Sequence, residues 1–485
     1  MDHRQRLDAA WRRHQSGDRA TAEAEYREVI RLAPGRADAH VFLGIAQFDK
    51  RDFAGSVASY DRALQIDPDQ AIAWNNRGNS LRMLGQVDDA ETCFARALQL
   101  RPQYLSALKN RGTLWIWAGE IERGLESYQR ALELAPEDPE VHRNLGVIYL
   151  LLGKSEDGWR HYRWRWHSGE LKRPTLPGGC SHWSGEDLRD QSFLLYPEQG
   201  LGDAMHFVRV TKRLCDMGAQ VCLHVEPKWL PLFSSVDGYA SLSADRGQMA
   251  PACRYHASMI EVVDRLIARG HDIHDGAEFR DGLAFDDDAD STRRASTPRQ
   301  AYLGVAPPLV EYWKKWLDKV APQNAPTPKR RIAITWQGNR DHHADIYRSI
   351  DLSCLAPLLA RDDVHVISLQ RGDAAEQVVR GGWENRVIRV PDDFDSSDGA
   401  FTDSAALVQH VDAVLSTDTS IVHLAGSVGV RTWVMLGRVP DWRWGLEGDR
   451  TPWYPSMRLL RQKTLGSWDD VVASALRKID HLTPG

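Results

Sequence analysis

A single interval organises the first third of this chain. Pro34, Pro68, Pro102 and Pro136 are spaced 34 residues apart, and so are Gly44, Gly78, Gly112 and Gly146. Each proline closes a similar stretch: YREVIRLAP, YDRALQIDP, FARALQLRP and YQRALELAP. Gly85, Gly119 and Gly153 add a turn inside each later repeat. An interval of this length, punctuated by proline and glycine, excludes a coiled coil and specifies stacked helical hairpins. Small residues such as Gly78 and Ala97 let paired helices approach closely, and the aromatic at Tyr60, Phe94, Tyr128 and Tyr162 fills the gap between them. Neighbouring hairpins then share one continuous core and curve into a superhelix.

The period, and the order Gly, Ala, aromatic, Ala, Pro, resemble the tetratricopeptide repeat. The resemblance covers residues 3–170, about five helical pairs, and sets a first domain at 1–170. Asn76, Asn110 and Asn144 recur at the same interval on the first helix of each pair. In this repeat family that position faces the concave groove, and the ladder resembles the one in protein O-GlcNAc transferases. Such amides would hold the backbone of an extended peptide without reading its sequence. Local loop or cap bonding is the alternative use of the same side chains. Phe42 stands where a fourth rung is expected.

A chain of 485 residues has room for two or three domains. Its net charge of −6 gives no reason to expect nucleic-acid binding. No apolar run reaches membrane-spanning length, and MDHRQRLDAAWRRH lacks the apolar core of a secretory signal, so a cytoplasmic location is expected. The six cysteines are scattered without a Cys-x-x-Cys pair, which fits a reducing compartment and argues against structural zinc. Pro174, Pro177, Gly178 and Gly179 end the helical period. Just before them, Trp159, Trp164 and Trp166 are expected to cover the last apolar face of the array.

Beyond the junction the pattern becomes α/β. Phe193–Tyr196 reads as a strand leading through PEQGLGD into a helix that carries Met205, Phe207, Val208, Val210 and Leu214, with a further strand at Val221–Val225. Gly200 and Gly202 permit the tight turn, and Asp203 stands at the helix start as either a cap or a general base. His206 fits the cleft or the core equally. His256, His271 and His274 have no ligand spacing, and the Asp286–Asp290 run reads as a solvated loop. After a helix at Leu309–Val320, Pro322, Pro326 and Pro328 mark a linker. Further strands are expected at Ile332–Trp336, Val364–Ser368, around Val414, and at Arg431–Leu436, with helices at Leu352–Leu359 and Trp468–Ile479. Three strand ends thus carry Asn339, Gln370 and Asp418–Thr419, the edge where open α/β sheets bind ligands. The change of polarity at Ser416–Ser420 implies a strand, a hydroxyl-rich turn and a helix start suited to an anion. Arg348 is the cation chosen to offset phosphate, with surface charge as the alternative, His423 follows Asp418 on its helix, and DWRW at 441–444, with Trp442, and WYP at 453–455 offer an aromatic wall of the cleft or ordinary interface packing.

Together, EQGLGD at 198–203, ITWQGN at 334–339, YRSIDL at 347–352, SLQRG at 368–372 and STDTSIVHLAGSVG at 416–429 resemble the heptosyltransferase-like family of GT-B glycosyltransferases, and within it the branch fused to tetratricopeptide repeats. DWRW at 441–444 and WYPSMRLLRQ at 453–462 add to the match. The resemblance implies a helical superhelix followed by two Rossmann-like α/β domains, an acceptor half at 171–325 and a donor half at 326–485. It makes Asp203 the base and places Asp418, Thr419 and His423 beside a nucleotide-sugar diphosphate, with Asn339, Arg348 and Gln370 as further donor contacts. Gly202, His206 and Trp442 are candidate acceptor or cleft residues. No metal is expected. The implied activity is metal-independent, inverting sugar transfer to a hydroxyl of a protein or peptide held by the repeats. Transfer to a free or lipid-linked glycan, and a non-catalytic repeat scaffold, are the alternatives.

Overall fold

The computed structural model describes residues 3–169, 171–176, 179–249, 252–271, 301–323, 328–340, 344–396 and 399–482. His274, the Asp286–Asp290 run and Pro326 lie outside them. The chain divides into two compact units, Met1–Gly146 with His161–Ser168, and Val147–Arg160 with Gly169–Gly485.

Helical hairpins build the first unit. His3–Gln15 pairs with Arg19–Leu32, Ala37–Asp49 with Phe53–Ile66, Ala71–Met83 with Val87–Leu100, and Leu105–Ala118 with Ile121–Leu134. Pro139–Leu151 and Ser155–Tyr162 continue the series, and the unit boundary falls within them. The repeating glycines are sites of close approach. A Cβ on Gly78 would lie 2.8 Å from the Phe94 ring, and one on Gly112 would lie 2.8 Å from Tyr128. Gly44 faces Tyr60 in the same way, at 2.7 Å. Gly119, with φ of 89°, ends its helix in the left-handed region where a side chain is disfavoured. Asp18 and Asp52 cap their helices by accepting from Thr21 and Gly55.

Two parallel sheets organise the second unit. The first contains β1 (Ser181–His182), β2 (Ser192–Tyr196), β3 (Gln220–His224), β4 (Tyr239–Ser243) and β5 (Tyr255–Ser258), in the order β1-β5-β2-β3-β4. The second contains β6 (Arg330–Thr335), β7 (Val364–Ser368), β8 (Val387–Arg389), β9 (Ala413–Thr417), β10 (Thr432–Leu436) and β11 (Met457–Arg461), in the order β11-β10-β9-β6-β7-β8. Strands buried on both faces explain the continuous apolar runs: β9 and β10 are buried at every position. In each sheet the chain leaves a starting strand in one direction and later returns to its other side. That reversal falls between β2 and β5 in the first sheet and between β6 and β9 in the second. Crevices at such reversals are where open α/β sheets take ligands.

Three local expectations are corrected. Ser416 and Thr417 belong to β9 rather than to the turn, and both are fully buried. Ser416 Oγ meets Thr335 Oγ1 across the strands at 2.5 Å, which satisfies a hydroxyl inside the sheet. The helix after β2 is two helices, Leu201–Phe207 and Val210–Asp216. At the break, Arg209 Nε donates to the carbonyl of His206 at 2.8 Å, and Tyr302 Oη donates to that of Met205 at 2.9 Å. Leu352–Leu359 begins as a 3-10 turn before becoming α-helical at Ala356. Strands β1, β4, β5, β8 and β11 carry no clear sequence signal, because they are short or interrupted by polar residues such as His256, Ser241 and Arg458.

Candidate functional site

The starts of two helices meet where the crevices of the two sheets converge. The chain leaves β2 through Pro197–Gly200 into Leu201–Phe207, and leaves β9 through Asp418–Thr419 into Ser420–Ser427. Gly202 makes the approach possible: a Cβ there would lie 3.2 Å from Ser420 Oγ and 3.3 Å from His423. Asp203 therefore stands at the seam between the two α/β halves.

A cluster of charges surrounds it. Arg443 donates one Nη2 hydrogen bond to Asp203 and one from Nη1 to Asp441 at 2.8 Å. Burial pushes the Asp203 carboxyl above its ordinary range, Arg443 pulls it back, and Asp441 and Glu198 push it up again. Its side chain keeps 24% exposure, so the group is reachable from solvent. Asp418 is pushed up to about 6, chiefly by burial and then by Asp441, with Arg348, the Trp444 ring nitrogen and Arg443 opposing. Asp203 and Asp418 thus share the same two charged neighbours, Asp441 and Arg443. In the 441–445 turn, the Asp441 carboxylate accepts from the Arg443 backbone at 3.0 Å, and the turn closes at Gly445, whose φ is 59°.

The flanking loop is rigidly held. Gln370 Oε1 accepts from the backbone N–H groups of Trp336 and Gln337 at 3.0 and 2.9 Å, and its Nε2 donates to the Gln337 and Arg371 carbonyls. Its amide shapes the loop after β6 and has little capacity left for a ligand. The Gly338 N–H donates to Ser349 Oγ at 3.0 Å, and Gly338 lies against the Arg348 guanidinium. Arg348 Nε and Thr417 Oγ1 are buried atoms without a hydrogen-bond partner. Asn339 is exposed at the loop tip, and Thr419 occupies the N-cap position without a side-chain capping bond.

Behind the charges lies an aromatic wall. His206 is fully buried and stacks on Phe207, with its ring 4.5 Å from Trp453 and 5.1 Å from His423. It is a packing residue of the seam. His423 shares a hydrogen bond of 3.0 Å with Tyr454 Oη, stacks on Trp444, and is held neutral by burial, which drives it down to about 3. Trp442 lies within reach of the Arg443 guanidinium at 4.7 Å and meets Trp159 edge-on at 5.6 Å. Arg209 ties the halves together, donating to the Trp453 carbonyl and to Tyr302 Oη, both at 2.8 Å. Arg209 was not legible as a site residue, and Asp441, Arg443 and Trp444 were legible only as part of the DWRW wall of a cleft, not as a charge cluster. DWRW marks the turn in sequence, but only the fold brings it to Asp203.

In the repeats, the asparagine amides engage one another and nearby hydroxyls. Asn110 Nδ2 donates to Asn75 at 3.0 Å, Asn75 Nδ2 donates to Asn76 at 3.0 Å, and Asn144 Nδ2 donates to Tyr128 Oη at 3.1 Å. The ladder therefore continues sideways through Asn75, which the interval alone did not single out. Phe42 instead stacks on Tyr26, 5.5 Å between ring centres. Among the described residues no group of His, Cys, Asp and Glu is arranged to hold a metal ion, and no helix is long and apolar enough to cross a membrane.

The first unit defines the class. Segments 7–71, 71–104 and 118–153 match tetratricopeptide repeat models, so the N-terminal region is a tetratricopeptide repeat array. Over most of its length the chain is similar to Protein FlbA of Caulobacter vibrioides, at 28% identity across 470 residues, covering 94% of this chain and 70% of that protein. Among solved structures, Pseudomonas aeruginosa pilF matches at 19% identity with a TM-score of 0.33, covering 35% of this chain and 78% of that one. A thermophilic repeat protein of Thermus thermophilus matches at 16% identity with a TM-score of 0.32, covering 34% and 91%.

Proposed function

We propose that residues 171–485 form a GT-B glycosyltransferase which moves a sugar from a nucleotide-sugar donor to a hydroxyl of a protein acceptor guided by the repeats. The observation that carries this reading is the convergence of two helix starts, with Asp203 and the Asp418–Thr419 turn sharing Arg443 and Asp441 as neighbours. A donor diphosphate would lie against the start of Ser420–Ser427, where first-turn backbone N–H groups and the Thr419 hydroxyl would donate to it. Arg348 would offset its charge. Asp203, partly exposed and raised toward neutrality by burial, would take the proton of the acceptor hydroxyl as the sugar transfers. Repeat arrays are protein-binding surfaces, which favours a protein over a glycan as acceptor. A cytoplasmic location would supply the nucleotide sugar.

The test is intact-protein mass spectrometry of extracts incubated with the purified chain and a panel of nucleotide sugars. The expected result is a glycosyl increment on one or a few proteins, reduced at least about a hundredfold in Asp203→Asn with donor binding retained. Sugar added only to a free glycan, with the repeats dispensable, would move the acceptor class. Peptide binding with no transfer or donor hydrolysis would leave a scaffold.

A further inference from the structure

We propose that Arg443 is a positioning residue for Asp203: it holds the carboxylate at the seam, and a donor diphosphate draws the cation away. This rests on the transferase reading above. Three observations carry it. The guanidinium, only 7% exposed, bridges carboxylates from both halves, Asp203 after β2 and Asp441 after β10. Phe207 and Trp442, whose rings stack 6.4 Å apart, lie 5.0 and 4.7 Å from the guanidinium carbon, so the cation is seated against an aromatic surface on one side. It also acts on Asp418, beside the turn that would face the diphosphate.

An arginine held between two carboxylates has donors that a phosphate can compete for, and drawing it away leaves Asp203 beside the like charge of Asp441. While paired with Arg443, Asp203 has part of its basicity spent. Recruitment of the cation by a donor would free the carboxylate for an acceptor hydroxyl. Donor would then bind before acceptor, because Asp203 gains its full basicity only once the donor has drawn the cation away.

The groups facing Asp203 set the signs of the test. Arg443 and Asp441 come from the 441–445 turn, Glu198 from the loop after β2, and neutral His423 from the helix against Gly202. Arg443→Gln removes a cation and leaves Asp203 beside Asp441 and Glu198. The acid limb of kcat/KM should move to higher pH by about one unit, and binding of UDP or GDP, measured by calorimetry, should weaken about tenfold. Asp441→Asn removes an anion, so its acid limb should move to lower pH. Arg443→Lys should restore the limb but not the full nucleotide affinity. A purely structural role would move both limbs together or neither. Limbs that shift in the same direction, or a Gln variant with unchanged limb and affinity, overturn the proposal while transfer by the wild type stands. A wild type that neither binds a nucleoside diphosphate nor transfers sugar overturns the transferase reading, and this inference with it.

Discussion

At the scale of single residues, Asp418 shows what a buried carboxylate costs in stability. Burial raises its folded carboxyl to about 6 from an ordinary 3.8, so the native state holds the proton more tightly than the unfolded chain does. A raised value means the associated stability is fully present below the ordinary range and is lost as pH rises through 6. Ionised Asp418 therefore destabilises the fold at neutral pH, by roughly 1–2 kcal/mol after allowance for its partial exposure. Asp418→Asn should raise the melting temperature at pH 8 and have little effect at pH 4. A gap that fails to grow with pH would detach this residue from the charge cluster. The same substitution should weaken donor use, since stability and function oppose each other at such sites.

At the scale of elements, the repeats set two preferences against each other. Alanine is favoured over glycine in a helix interior by about 1 kcal/mol. At Gly78 the added Cβ would sit 2.8 Å from the Phe94 ring and 3.1 Å from the Cys93 Cβ, an overlap that costs about 1–3 kcal/mol. Packing therefore wins, and Gly78→Ala should lower the unfolding midpoint of the array. Pairing it with Phe94→Leu should cost less than the sum of the two changes, as read by a double-mutant cycle in urea. The asparagines offer a functional counterpart. Alanine at Asn76, Asn110 and Asn144 together should raise KM for a protein acceptor about tenfold while leaving donor hydrolysis unchanged. Equal effects on both would return the ladder to a structural role. The hairpins were legible because glycine, aromatic and proline recur at a fixed interval. The break at Val208–Arg209 was not, because the released carbonyls are taken up by the Arg209 side chain at the break and by Tyr302, 97 residues further along the chain.

At the scale of the molecule, the α/β unit carries several buried groups whose surroundings oppose protonation. His224 and His256 are driven down to about 4 and His423 to about 3, in each case mainly by burial. Glu261, beside His182 and Arg173, is brought down to about 2 despite burial. For a histidine with a depressed value the unfolded chain binds the extra protons. Stability is then intact above the ordinary 6.5 and falls as pH drops toward 4 and 3. For Glu261 stability is present above its ordinary range and lost as pH falls through about 2. The α/β unit should thus lose protection between pH 6.5 and 4 in a first acid step, with Glu261 adding a second below it, measured by hydrogen exchange at the residues of β2, β5 and β9. Protection unchanged down to pH 4 would place water at those imidazoles.

The sequence alone determined what local chemistry repeats or concentrates. The 34-residue interval encodes the hairpins, because each repeat must solve the same packing problem. The apolar runs of β2, β6, β7, β9 and β10 mark strands covered on both faces. Asp203 and the Asp418–Thr419 turn stand out as polar residues at strand ends. Only the tertiary structure decided which of these meet. Asp203 and Arg443 are 240 residues apart, and their pairing needs two parallel sheets to bring their crevices together with a glycine at the contact. Gln370 illustrates the reverse: a polar residue at the right strand end was recruited by the neighbouring loop, since a buried backbone N–H must find an acceptor wherever the fold offers one.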